Sequence, residues 1–81
     1  MASRADLVKW VEESLRELGG KSQIVPLCKS IWAKHGREIE RSGDLFYTWQ
    51  YDMRWAATVL RRRGTLTAAE ESPRGVWELK D

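Results

Sequence analysis

Between Phe46 and Trp55 the chain reads FYTWQYDMRW, and the triplet Arg61-Arg62-Arg63 follows close behind. Five of the eight aromatic residues fall in that one window, whereas a small domain ordinarily spreads its rings through the core. Rings, an amide (Gln50), a hydroxyl (Thr58) and guanidinium groups (Arg54, Arg61, Arg62) share the segment. That mixture holds phosphates and meets flat bases. Arg54 and Arg61 can bind phosphates or read guanine edges, Arg62 adds a third cation, and Gln50 can pair with adenine. The plainer alternative is a basic helix end, favoured by the helix dipole, with solvated side chains. It suits Arg63 best.

Tyr51 and Trp55 stand four residues apart and form one ridge on a helix. Together with Trp49 they are candidates to stack on a base turned out of the duplex. N6-methyladenine is the favoured modification, because its methyl group weakens pairing and adds apolar contact. Core packing competes for Trp49, and for Trp55 beneath a C-terminal hairpin against Trp77. Trp10 and Trp32 read as core or core edge.

No second chemistry is legible. His35 is the only histidine, and Cys28 lies on an apolar stripe as a small buried hydrophobe. No carboxylate pair, metal cluster, glycine-rich phosphate loop or nucleophile–base arrangement is present. Neither catalysis nor a cofactor or metal is expected.

Elements must aim these side chains. Ser3 with Asp6 reads as a capping-box variant, and Leu7, Val11, Leu15 and Leu18 recur at helical spacing up to Gly19-Gly20. This predicts a helix over 4–18. Lys21 to Gln23 reads as a short extended link, with Ser22 available to cap a second helix over 24–35 that Gly36 stops. Residues 37–43 read as a loop. A third helix, over about 48–63 and capped by Asp44 or Thr48, ends at Gly64. At 100° per residue, Trp49, Met53, Ala56, Leu60 and marginally Val59 face a core, with Arg63 toward that side. Gln50, Tyr51, Arg54, Trp55, Thr58, Arg61 and Arg62 face outward. Segments 65–68 and 76–79 alternate with period two around turn residues, predicting a hairpin.

At 81 residues the chain has room for one domain and one core. Its 42% hydrophobic and 32% charged content describes a folded globule. A single cysteine excludes an internal disulfide, and the sequence has no signal-like or membrane-length apolar run, which points to the cytoplasm. The net charge of +2 is uneven. Residues 1–20 hold three basic and four acidic groups, whereas residues 48–64 hold four basic and one acidic.

Three helices and a hairpin give a mostly α winged helix-turn-helix, whose last helix lies in a major groove while Arg74 touches a phosphate or minor groove. Lys21 and Ser22 join it as contacts. GDLFYTWQYDMRWAATVLRRRGTL followed by SPRGVWEL resembles the N-terminal winged-helix domain of Mrr-type restriction endonucleases. The matching stretches are Arg54-Trp55-Ala56, Arg62-Arg63-Gly64 and Ser72-Pro73-Arg74-Gly75-Val76-Trp77, with Gly19-Gly20 also in keeping. The resemblance covers most of the chain and is most specific over 43–79. It implies binding of double-stranded DNA, methylated DNA in related restriction systems, on behalf of a nuclease domain. The aromatic cluster is richer than the family pattern. A protein-interaction module is the alternative, since aromatics with arginine also mark protein interfaces and Glu70-Glu71 would repel phosphate.

Overall fold

Asp6 accepts a hydrogen bond from the Ser3 backbone N–H at 2.9 Å, and this opens the first helix, α1 (Arg4–Glu17). The computed structural model describes residues 1–80. Among them are two further helices, α2 (Ile24–Glu40) and α3 (Leu45–Arg62), and two short strands, β1 (Lys21–Gln23) and β2 (Val76–Glu78).

Leu7, Val11 and Leu15 on α1 are fully buried, as the stripe requires. The helix closes with Gly20 N–H donating to the Leu15 carbonyl at 2.7 Å and Gly19 N–H to that of Arg16 at 3.3 Å. Both glycines sit at positive φ, 91° and 97°, where a side chain would be strained. The chain then leaves at once as β1.

Two expected boundaries move. Gly36 does not stop α2, which continues through residues read as loop to Glu40. Gly36 is buried within the helix, and a Cβ there would lie 2.9 Å from Cδ2 of Trp32. The glycine makes room for an indole one turn earlier instead of capping the helix. α3 starts at Leu45, not 48, because Leu45 is drawn into the core and carries the helix back with it. Between the two helices, the buried Ser42 hydroxyl accepts from Ala2 N–H at 2.9 Å and donates to the Glu38 carbonyl at 2.5 Å. That ties the N-terminus to the α2–α3 turn.

The expected hairpin is rearranged. β2 pairs antiparallel with β1, in the register Lys21↔Glu78, Ser22↔Trp77, Gln23↔Val76. Residues 65–68 form no strand of their own. They meet the other arm through one bridge, Leu66↔Leu79, flanked by Thr67 N–H to Glu78 carbonyl and Lys80 N–H to Thr65 carbonyl bonds. The stretch between holds a short 3-10 turn, Ala69–Glu71. Ser22 does not cap α2; Gln23 stands at that position, and the Ser22 hydroxyl donates to its carbonyl at 2.7 Å.

The core gathers the α1 stripe, Leu27, Ile31 and Ile39 of α2, and Trp49, Met53, Ala56 and Leu60 of α3, with Leu66 beneath the sheet. Ala56 and Ala57 are both buried, and small side chains there let α1 lie close against α3. Arg63, expected toward the core, is exposed.

Candidate functional site

Burying Trp49, Met53, Ala56 and Leu60 forces the opposite side of α3 into solvent. Gln50, Tyr51, Arg54, Thr58 and Arg62 are all exposed on it. Tyr47, 83% exposed, extends the strip by one turn. Sequence reasoning missed Tyr47 because it started the helix after it; its spacing of four from Tyr51 was the available signal.

The electrostatics of the strip are one-sided. Among the described residues, the ion pairs join α1 to itself or to α2: Arg16 with Glu12 at 2.6 Å, Lys34 with Glu13 and Glu17, and His35 with Glu13 at 3.2 Å. Neither Arg54 nor Arg62 has a carboxylate within ion-pairing distance among those residues. Their guanidinium groups are available to an external anion. The Thr58 hydroxyl donates to the Arg54 carbonyl at 3.1 Å, which leaves its lone pairs to accept.

Three expected members of the strip are otherwise engaged. Arg61 is half-buried, and its Nε donates to the Thr67 carbonyl at 3.2 Å, bracing α3 against the C-terminal segment. Trp55 does not share an outward ridge with Tyr51. Its ring is half-buried against the core, and the Arg4 guanidinium lies 4.3 Å from the ring centroid. Trp49 is 6% exposed. Of the three rings considered for stacking, only Tyr51, 79% exposed, stands clear of the protein.

The remaining candidates lie on the sheet. Lys21 is exposed and opposite Glu78, Ser22 opposite Trp77, and Arg74 is exposed in the turn entering β2. They are separate in sequence from the α3 strip, and the β1–β2 ladder brings Lys21 and Ser22 to the strand that follows Arg74.

Beside the strip, a groove of about 1000 Å3 opens between α2 and α3. Ile24, Val25 and Cys28 of α2 line one part of it; Trp32, Phe46 and Trp49 form an aromatic wall; Gln50, Tyr51, Arg54 and Lys29 carry the polar groups. Trp32 stacks on Trp49, with centroids 5.8 Å apart and planes 17° apart, and lies 6.5 Å from Phe46. Of the two places expected for Trp32, core or core edge, it takes the edge: it packs on buried Trp49 and remains 39% exposed as a wall of the groove. Cys28 is only half-buried on the same groove, and desolvation pushes its thiol pKa up. Sequence reasoning missed the groove because half its lining comes from α2, where Cys28 and Trp32 read as core or core-edge residues. Trp10 is core, with His35 stacked on it at 4.1 Å.

Compared with known protein families, curated proteins and solved structures, the chain matches none at significant similarity. Among the described residues no helix is long and apolar enough to cross a membrane.

Proposed function

We propose that this chain is a DNA-binding winged-helix module. In this reading α3 enters the major groove of double-stranded DNA, and the sheet with its Arg74 turn is the wing resting on the backbone. The observation that carries it is the cationic, ring-bearing strip on α3: Gln50, Tyr51, Arg54, Thr58 and Arg62 exposed together, while the ion-paired carboxylates among the described residues, Glu12, Glu13 and Glu17, all lie on α1. Phosphate contacts from Arg54, Arg62, Arg74 and Lys21 supply most of the affinity, and Gln50 faces base edges. Arg61 holds the wing to α3 and adds charge behind it.

Preference for a methylated base, N6-methyladenine first, rests on Tyr51, the one candidate ring that is largely exposed. Service as the targeting part of a restriction-type system, with a nuclease domain as partner, rests on the motif resemblance. The test is a titration of a short duplex, methylated and unmethylated, at two salt concentrations. Binding at low salt that weakens in an Arg54→Ala/Arg62→Ala variant supports the reading. No binding at low salt sinks it, and equal affinity for all common methylations removes only the modified-base part.

The open apolar groove favours a second reading, a protein-interaction or dimerisation module. Concentration-dependent self-association that survives replacement of Arg54 and Arg61 would select it.

A further inference from the structure

We infer that the groove between α2 and α3 holds unpaired nucleotides, so that DNA carrying a bulged or extruded base is bound in preference to uniform duplex. This rests on the DNA-binding reading above. Proteins that hold unstacked bases combine an aromatic platform with flanking cations, and the groove has both parts. Its wall is the Trp32–Trp49 stack with Phe46 beside it, and Trp32 and Phe46 each remain 39% exposed. Trp32 already stands stacked against a buried ring. Trp49 backs it from the core, and Gly36 leaves room that a side chain would take from the ring.

The polar groups suit a nucleotide as well. Lys29 and Arg54 line the groove, exposed and without a carboxylate in ion-pairing distance among the described residues. No Asp or Glu lines it among those residues. The exposed Gln50 amide offers a donor and an acceptor to a base edge. Position completes the argument. Gln50, Tyr51 and Arg54 belong both to the groove and to the α3 strip, so a strand held on the strip can send a base into the groove without leaving the cationic surface. A volume of about 1000 Å3 admits more than one base, which favours a short unpaired run over a single caged base.

The full chain is titrated with a fluorescent duplex, with the same duplex bearing a one- or two-nucleotide bulge, and with the single strand. One stacked base is worth roughly 5- to 100-fold in affinity. The bulged duplex is expected to bind about tenfold more tightly than the perfect one, and Trp32→Ala to abolish that margin. A readout in the unaltered protein guards against misfolding of the variant. Alkylation of Cys28, which lines the groove, is expected to slow with bulged duplex bound and to proceed unchanged with perfect duplex bound at equal occupancy. Equal affinity for bulged and perfect duplex, with equal Cys28 alkylation, overturns the groove assignment while DNA binding stands. Loss of binding to every DNA form at low salt overturns both. Self-association that Trp32→Ala abolishes, with no preference for the bulge, gives the groove to a second copy of the chain and overturns the inference.

Discussion

Ser14 sits fully buried on α1, and its hydroxyl has no hydrogen-bond partner among the described residues. Burying an unpaired hydroxyl costs about 1–3 kcal/mol, and alanine is the better helix former at such a site. Ser14→Ala is therefore expected to stabilise the fold by about 1 kcal/mol, which raises the melting temperature of a domain this size by roughly 4–8 °C. A lower melting temperature would show that the hydroxyl has a partner. Two neighbouring rings separate packing from binding at the same scale. Trp55 is half-buried under Arg4, so Trp55→Ala should cost about 2 kcal/mol of stability, below the range for fully buried tryptophan. Tyr51 touches little of the protein, so Tyr51→Ala should shift stability by less than about 0.5 kcal/mol. On the proposed reading it lowers DNA affinity roughly 5- to 100-fold. Thermal melts paired with DNA titrations check both variants. A large stability loss at Tyr51 would mean that its ring packs against the protein.

At the scale of elements, α2 is the helix whose extent carries the most meaning, because its continuation past Gly36 keeps that glycine one turn from Trp32. Alanine in place of a helical glycine ordinarily gains about 1 kcal/mol. Here the added Cβ would lie 2.9 Å from the indole, and the ring must move. Gly36→Ala is expected to show no net stabilisation and to shift tryptophan emission as Trp32 leaves its stack on Trp49. A clear rise in melting temperature with unchanged emission would show that the ring yields easily. The same glycine marks the limit of what the sequence disclosed. A glycine after an apolar stripe serves equally as a helix stop or as a close-approach site, and local pattern does not separate the two. α1 was legible to within one residue because stripe, capping box and double glycine agree, although Leu18, expected in the stripe, lies past the helix end and is exposed. Lys21 to Gln23 was legible as extended but not as a paired strand, because Lys-Ser-Gln has no apolar alternation and its partner lies near the other end of the chain. On α3 the wheel separated buried from exposed positions correctly for Trp49, Met53, Ala56, Leu60, Gln50, Tyr51, Arg54 and Arg62. It misplaced Arg63, which is exposed, and Trp55 and Arg61, at the edges of the arc, where the neighbouring elements decide: Arg4 of α1 and Thr67 of the C-terminal segment.

Across the whole molecule, a net charge of only +2 conceals two opposed surfaces. Glu12, Glu13 and Glu17 of α1 are tied to Arg16, Lys34 and His35, while Arg54 and Arg62 of α3 answer to no carboxylate among the described residues. A weak overall field steers little, so affinity for DNA has to come from contacts, and contacts can be counted. Each phosphate neutralised on duplex DNA contributes about −0.9 to the slope of log K against log salt. Contacts from Arg54, Arg62, Arg74 and Lys21 predict a slope of roughly −4, and the Arg54→Ala/Arg62→Ala pair should bring it to roughly −2. Glu12→Gln is the control. It raises the net charge by one but lies on the α1 face, and it should leave the slope where it was, because the slope counts released counterions rather than total charge. Anisotropy titrations from low to moderate salt read all three. If Glu12→Gln moved the slope as much as the arginine pair did, the binding would be diffuse attraction to the whole protein, and α3 would lose its claim to be the surface that meets the phosphates.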